Sequence, residues 1–219
     1  MSTDVYLRLL AMTTGLLLLS AVLQVWGRST GREIGLLVLQ GTALAGLVLT
    51  MGVHEGEPAA PLVAALVFVV KAVVMPWAML RSTRVIGVTR EHSARVKPAI
   101  ELLGAAGLTL LAYAVTGPIL RADTDPAAQA VPVGVSLVLL GFWRILIRSS
   151  AITQLVGFLM LDNGIATISF LTSGGLPLVV ELGATLDVLL VVLILGVLVV
   201  RMQAERGHID ITELRELHD

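Results

Sequence analysis

The sequence predicts an all-α, polytopic membrane protein with about seven transmembrane helices, its N-terminus outside and its C-terminus cytoplasmic. Three observations predict it. Of 219 residues, 56% are hydrophobic and 14% charged, against roughly 45–50% and about 25% in a soluble domain, and mean hydropathy is +0.92. The apolar residues fall in long blocks rather than alternating, which suits helices crossing a core about 30 Å thick and not barrel strands. Lys and Arg gather in every other interval between the blocks, the pattern that fixes orientation.

Composition also excludes function classes. A net charge of −1 offers no basic field, so no nucleic-acid partner is expected. The absence of cysteine rules out a disulfide scaffold, a thiolate zinc site, a catalytic thiol and a cysteine-ligated iron–sulfur cluster in this chain. No Walker, Rossmann, zincin or nucleophile-elbow motif occurs.

The blocks place spans at about 6–26, 33–53, 60–80, 98–118, 131–147, 151–172 and 176–200. The first is too long for a signal-peptide core, and Val25-Trp26-Gly27-Arg28 is a poor cleavage site, so it is expected as a mature helix. The fifth is short, and Arg144 at its inner end is expected to snorkel. Arg28 and Arg32 mark the first loop; Arg81, Arg84, Arg90, Arg95 and Lys97 the third; Arg148 the fifth; Arg201, Arg206 and Arg215 the tail. The second loop, His54-Glu55-Gly56-Glu57-Pro58, and the sixth, Ser173-Gly174-Gly175, hold no Lys or Arg, and the fourth sets Arg121 beside Asp123 and Asp125. Odd loops are therefore cytoplasmic. Three regions are expected: a four-helix part over 1–128, a three-helix part over 129–203, and a tail over 204–219. In the tail, Ile209, Ile211, Leu214 and Leu217 among charged residues read as a surface amphipathic helix.

Charge inside a span costs ~2.5–3.5 kcal/mol at the bilayer centre and is rarely idle. Lys71 lies near the middle of the third span, Asp162 of the sixth and Asp187 of the seventh; Glu181 lies outward of Asp187, and Glu101 about one turn from the cytoplasm. Lys71, Asp162 and Asp187 read as one mid-membrane layer, extended outward by Glu181 and inward by Glu101 and Arg144. Desolvation drives such groups toward neutrality, and a row of them is the material of a proton relay. Pro76 deprives the Ala72 carbonyl of its helical donor and is expected to break the helix near Lys71. Gly164 is expected to loosen packing or admit water beside Asp162.

Each has a plainer reading. Lys71 with Asp162 or Asp187 also suits a structural ion pair, Glu181 a residue beside a wet loop, and Glu101 and Arg144 interfacial anchors. Arg148 and Arg201 read as orientation charges. His54, His92, His208 and His218 fall in loops or tail, which disfavours a metal site. Trp26, Trp77 and Trp143 read as interface-belt residues, and Gly41–Ala45 and Gly104–Gly107 as helix-packing pairs.

Two stretches resemble a known family. From Ile147-Arg148-Ser149-Ser150-Ala151 through Gly157-Phe158-Leu159-Met160-Leu161-Asp162-Asn163 to Arg201 and the tail Ile209-Asp210-Ile211-Thr212-Glu213-Leu214-Arg215, the chain resembles the three-helix NuoK-type subunit of respiratory complex I. With four helices in front, including Lys71…Pro76-Trp77, and the run Leu176-Pro177-Leu178-Val179-Val180-Glu181-Leu182-Gly183, it resembles hydrogenase-4 component E of formate-hydrogenlyase and other group 4 hydrogenase complexes. The NuoK-type pattern has a glutamate for proton translocation in each of its last two helices. Here Leu159 takes the first position, with Asp162 one turn along the same face, and Asp187 falls at or beside the second. The resemblance implies a multi-pass subunit of the bacterial inner membrane, not itself catalytic. Antiporter-like subunits, a membrane anchor subunit and peripheral hydrogenase-type subunits are its implied partners, with the nickel–iron and iron–sulfur centres in those other chains. A stand-alone cation–proton antiporter or secondary transporter, and a purely structural linker, are the other readings.

Overall fold

A computed structural model describes residues 1–27, 29–86, 98–120, 125–148 and 151–172. Contacts divide the chain into one unit over Met1–Ala184 and another over Thr185–Asp219. All the helices below lie in the first. The expected seventh span, Glu181, Asp187 and the amphipathic tail lie outside the described residues, as do Arg28, His92, Arg121 and most of the third loop.

The described residues form helices, six of them long and apolar enough to cross a membrane. The chain is thus an all-α, polytopic membrane protein. Helix α1 runs Thr3–Val25 and α2 Thr30–Glu55. The third crossing is composite: α3 over Ala60–Val67, a π-helical segment over Phe68–Val74, and α4 over Met75–Ile86. Then come α5 over Pro98–Leu120, the single turn α6 over Pro126–Gln129, α7 over Val131–Ile147 and α8 over Ala151–Thr172.

Helices outrun the apolar blocks because hydrogen bonding continues after hydropathy falls. Glu33 and His54 are both inside α2. His54, expected in a loop, stacks its ring on Tyr6 of α1 at 3.9 Å. α2 stops at Gly56, whose φ of 76° is the left-handed conformation a side chain would resist. The short fifth span is lengthened by α6. There the Asp125 carboxylate accepts the Ala127 N–H at 3.0 Å and Pro126 sits at the first turn, where its missing N–H costs nothing.

The most extensive packing is between α7 and α8, followed by α1 on α2 and α5 on α7. Gly134 and Gly141 on α7 face Gly164 and Gly157 on α8. A Cβ at Gly141 would lie 2.7 Å from the Gly157 carbonyl oxygen, and one at Gly164 would lie 2.7 Å from the Val138 nitrogen. Seven-residue spacing keeps each pair on one face, so the two backbones touch. Gly164 therefore tightens packing where loosening was expected: with no side chain it lets a neighbouring helix into the space water would need.

Toward the outer end the core is apolar. Leu10 of α1, Leu44 and Leu47 of α2, and Leu137 of α7 are buried together. Buried hydroxyls of Thr14, Thr50, Thr116, Ser136 and Thr167 each donate to a carbonyl one turn back in their own helix, which satisfies them without a partner helix. Leu62, Leu103 and Leu110 point outward, the normal state when the solvent is lipid. At the basic end, Trp26 and Trp77 are exposed, with the guanidinia of Arg32 and Arg81 each 5.7 Å from the ring, as a membrane-interface belt requires. Trp143 departs from that expectation. Its ring packs over Gly104 of α5, where a Cβ would come within 2.6 Å.

Candidate functional site

Lys71 is carried by the π-helical segment. Pro76 has no N–H for the Ala72 carbonyl, so the α-helical ladder cannot run through unbroken. The chain takes a wider turn, with the Met75 N–H donating to the Val70 carbonyl five residues back. Gly41 of α2 lies against this turn. A Cβ there would stand 2.6 Å from the Lys71 carbonyl carbon and 2.7 Å from the Ala72 nitrogen. Only glycine permits so close an approach to irregular backbone, which at membrane depth must face protein rather than lipid.

Across this contact the Lys71 ammonium pairs with Asp162 Oδ2 on α8. The side chains are 5% and 19% exposed. The next residue, Asn163, turns to α2 and donates through Nδ2 to Gln40 Oε1 at 3.1 Å. Lys71, Asp162, Asn163 and Gln40 thus form a polar cluster in mid-span, tying together the third crossing, α8 and α2. The expected layer of Lys71, Asp162 and Asp187 is joined at its first two members; the third lies outside the described residues.

A second cluster lies at the basic end. The Arg144 guanidinium meets Glu33 Oε1 at 2.6 Å through Nη2 and donates to the Gln24 carbonyl through Nη1. One turn on, Arg148 Nη2 donates to the carbonyls of Val25 and Gly27, each at 3.0 Å, and meets Glu101 Oε2 at 3.4 Å. All four charged side chains are 0–1% exposed. This corrects the expectation that Arg144 snorkels, that Arg148 only marks orientation and that Glu101 anchors at the interface. The cause is the C-terminal end of α1, whose last carbonyls lack intrahelical donors and carry the negative end of the helix dipole. They and the two carboxylates supply acceptors that compensate the guanidinia for the water they lose.

Glu33, Gln40, Asn163 and the buried state of Arg148 are what sequence reasoning missed. One signal was available. Glu33, Glu101, Arg144 and Arg148 all lie beside odd loops, hence at one membrane face, in equal numbers of each sign.

No family model matches the chain, and no solved structure matches it. It is 41% identical over 206 residues to the uncharacterized protein Rv0085 of Mycobacterium tuberculosis, spanning 94% of either chain. At 23% identity over 203 residues, it is similar to hydrogenase-4 component E of Escherichia coli and of Shigella flexneri, over 93% of this chain and 94% of theirs.

Proposed function

Because the chain belongs to the family of Rv0085 and is a distant relative of hydrogenase-4 component E over most of its length, we propose that it is a non-catalytic membrane subunit of a group 4 hydrogenase- or complex I-related assembly. Its task in this reading is to provide a mid-membrane path for protons, or sodium, beside antiporter-like subunits. The observation that carries the reading is the Lys71–Asp162 pair on a π-helical turn.

Both partners can exchange a proton, which a Lys–carboxylate pair does at lower cost than an arginine pair, since arginine keeps its charge. A proton arriving on Asp162 neutralises the carboxylate and strands the Lys71 ammonium in apolar surroundings. Lys71 then releases its own proton onward. Transfer from the Asp162 carboxyl to the neutral amine restores the pair, and one proton has moved per cycle. The segment that carries Lys71 is π-helical, an irregularity frequent at functional sites. Glu181 and Asp187 are proposed as further carriers, with Glu101 on the cytoplasmic side. Redox energy would come from nickel–iron and iron–sulfur centres in peripheral hydrogenase-type chains held by an anchor subunit, at the bacterial inner membrane.

Purification of the tagged full chain from its native membrane tests the assignment. Antiporter-like and hydrogenase-like chains are expected to co-purify. A chain that purifies alone and exchanges protons for cations in liposomes would instead be a self-contained transporter.

A further inference from the structure

The buried polar groups of these helices are distributed unevenly along the membrane normal. From mid-span to the outer end, the buried polar side chains of α1, α2, α5, α7 and α8 other than the Gln40–Asn163 pair are hydroxyls, each bonded within its own helix. From mid-span to the basic end, besides the hydroxyls of Ser20 and Thr153, they are the Gln24 amide, the Glu33 and Glu101 carboxylates and the Arg144 and Arg148 guanidinia. Polar side-chain atoms with no hydrogen-bond partner share this bias. Both amide atoms of Gln24, Glu101 Oε1 and Trp143 Nε1 lie at the basic end, and Gln40 Nε2 and Asn163 Oδ1 at mid-span. One hydrogen bond between two amides always leaves one amide nitrogen and one amide oxygen with no partner, whichever way the amides are turned.

Groups of this kind are satisfied by internal water when donors and acceptors converge, and remain costly otherwise. Glu33, Leu37 and Gln40 occupy successive turns of one face of α2, all buried. The seven residue steps from Glu33 to Gln40 span about 10 Å of helix rise, with Ile34 and Leu37 as the buried apolar side chains between them. Beyond Gln40 the same helix buries Leu44, Leu47, Val48 and Met51.

We infer that, through the described helices, water and protons reach the Lys71–Asp162 pair from the basic, cytoplasmic end. The route starts at the arginine cluster beside Gln24, Glu33 and Glu101 and follows α2 past Leu37 to Gln40 and Asn163, and among the described helices the core beyond Gln40 is apolar. It gives the pair a sided entrance with Leu37 as its constriction, since an apolar ring controls conduction by wetting and dewetting. The significance of this access rests on the proton-path reading above, while the access itself can be measured without turnover.

The natural chain has no cysteine, so single thiols can report on the route. Leu37→Cys, Gln40→Cys, Asn163→Cys and, in the outer core, Leu44→Cys and Leu47→Cys are placed one at a time in the full chain in native membranes. Silver ion, small enough for a water-filled file, is applied to one face of sealed right-side-out or inverted vesicles, and surviving thiols are counted with maleimide. The thiols at 37, 40 and 163 are expected to react at least about tenfold faster from the basic-loop face than from the other, with those at 44 and 47 protected from both. Equal reaction from both faces, faster reaction from the acidic-loop face, or a thiol at 40 as protected as that at 47 overturns the inference. Sided silver access with unimpaired proton coupling in Asp162→Asn would instead retain the route and remove the relay.

Discussion

Lysine and arginine buried in a membrane differ at the level of single residues. Arg144 and Arg148 spread their charge over carbonyls and carboxylates in fixed directions and keep it. Lys71 meets Asp162 as a point charge that either partner can discharge. Removing one side of a buried pair leaves an uncompensated charge and costs about 3–5 kcal/mol. Glu33→Gln is therefore expected to lower the thermal midpoint of the detergent-solubilised chain clearly, and Arg32→Gln, on an exposed side chain next door, to leave it nearly unchanged. Gly41→Ala forces a methyl group into the Lys71–Ala72 peptide and should cost about 1–3 kcal/mol. Gly15→Ala, with open space around it, should be neutral or slightly stabilising. The same thermal measurement checks both, and equal effects would contradict the close approach of α2 to the π-helical turn.

At the scale of elements, the third crossing shows what sequence conveys and what it conceals. Pro76 announces a broken ladder near Lys71, because a missing N–H is a local fact. That Gly41 of another helix lies against the resulting π-helical turn is a tertiary fact, which no local rule supplies. Pro76→Ala restores the donor and lets the segment return to α-helical register, swinging Lys71 by a fraction of a turn. Disulfide formation between Lys71→Cys and Asp162→Cys measures this directly: strong in the double variant, weaker when Pro76→Ala is added. Undiminished crosslinking would mean that proline does not set the turn. The six spans that fall on described residues were legible because lipid demands long apolar runs. Burial of Arg144 and Arg148 was not, because their partners include backbone carbonyls of α1, which carry no signature in sequence. The α7–α8 contact lies between these cases: glycines at 134, 141, 157 and 164 repeat at seven residues, yet only the docked pair reveals that the backbones touch.

At the scale of the whole molecule, the described helices sort their buried polarity into two levels. An arginine-based cluster at the basic end binds α1, α2, α5 and α7 together, and a lysine-based cluster at mid-span binds the third crossing to α2 and α8. The arginines of the first keep their charge; the lysine and aspartate of the second, in the proposed relay, pass a proton on. Proton movement driven by redox turnover in vesicles carrying the assembled complex is the most direct measurement of that difference, made on the natural chain, on Asp162→Asn and on Lys71→Ala, with assembly checked by co-purification. Both variants are predicted to assemble and turn over electrons while proton movement falls by roughly tenfold or more, the scale set by loss of a positioned proton-transfer group. Undiminished proton movement in an assembled Asp162→Asn complex would contradict the relay.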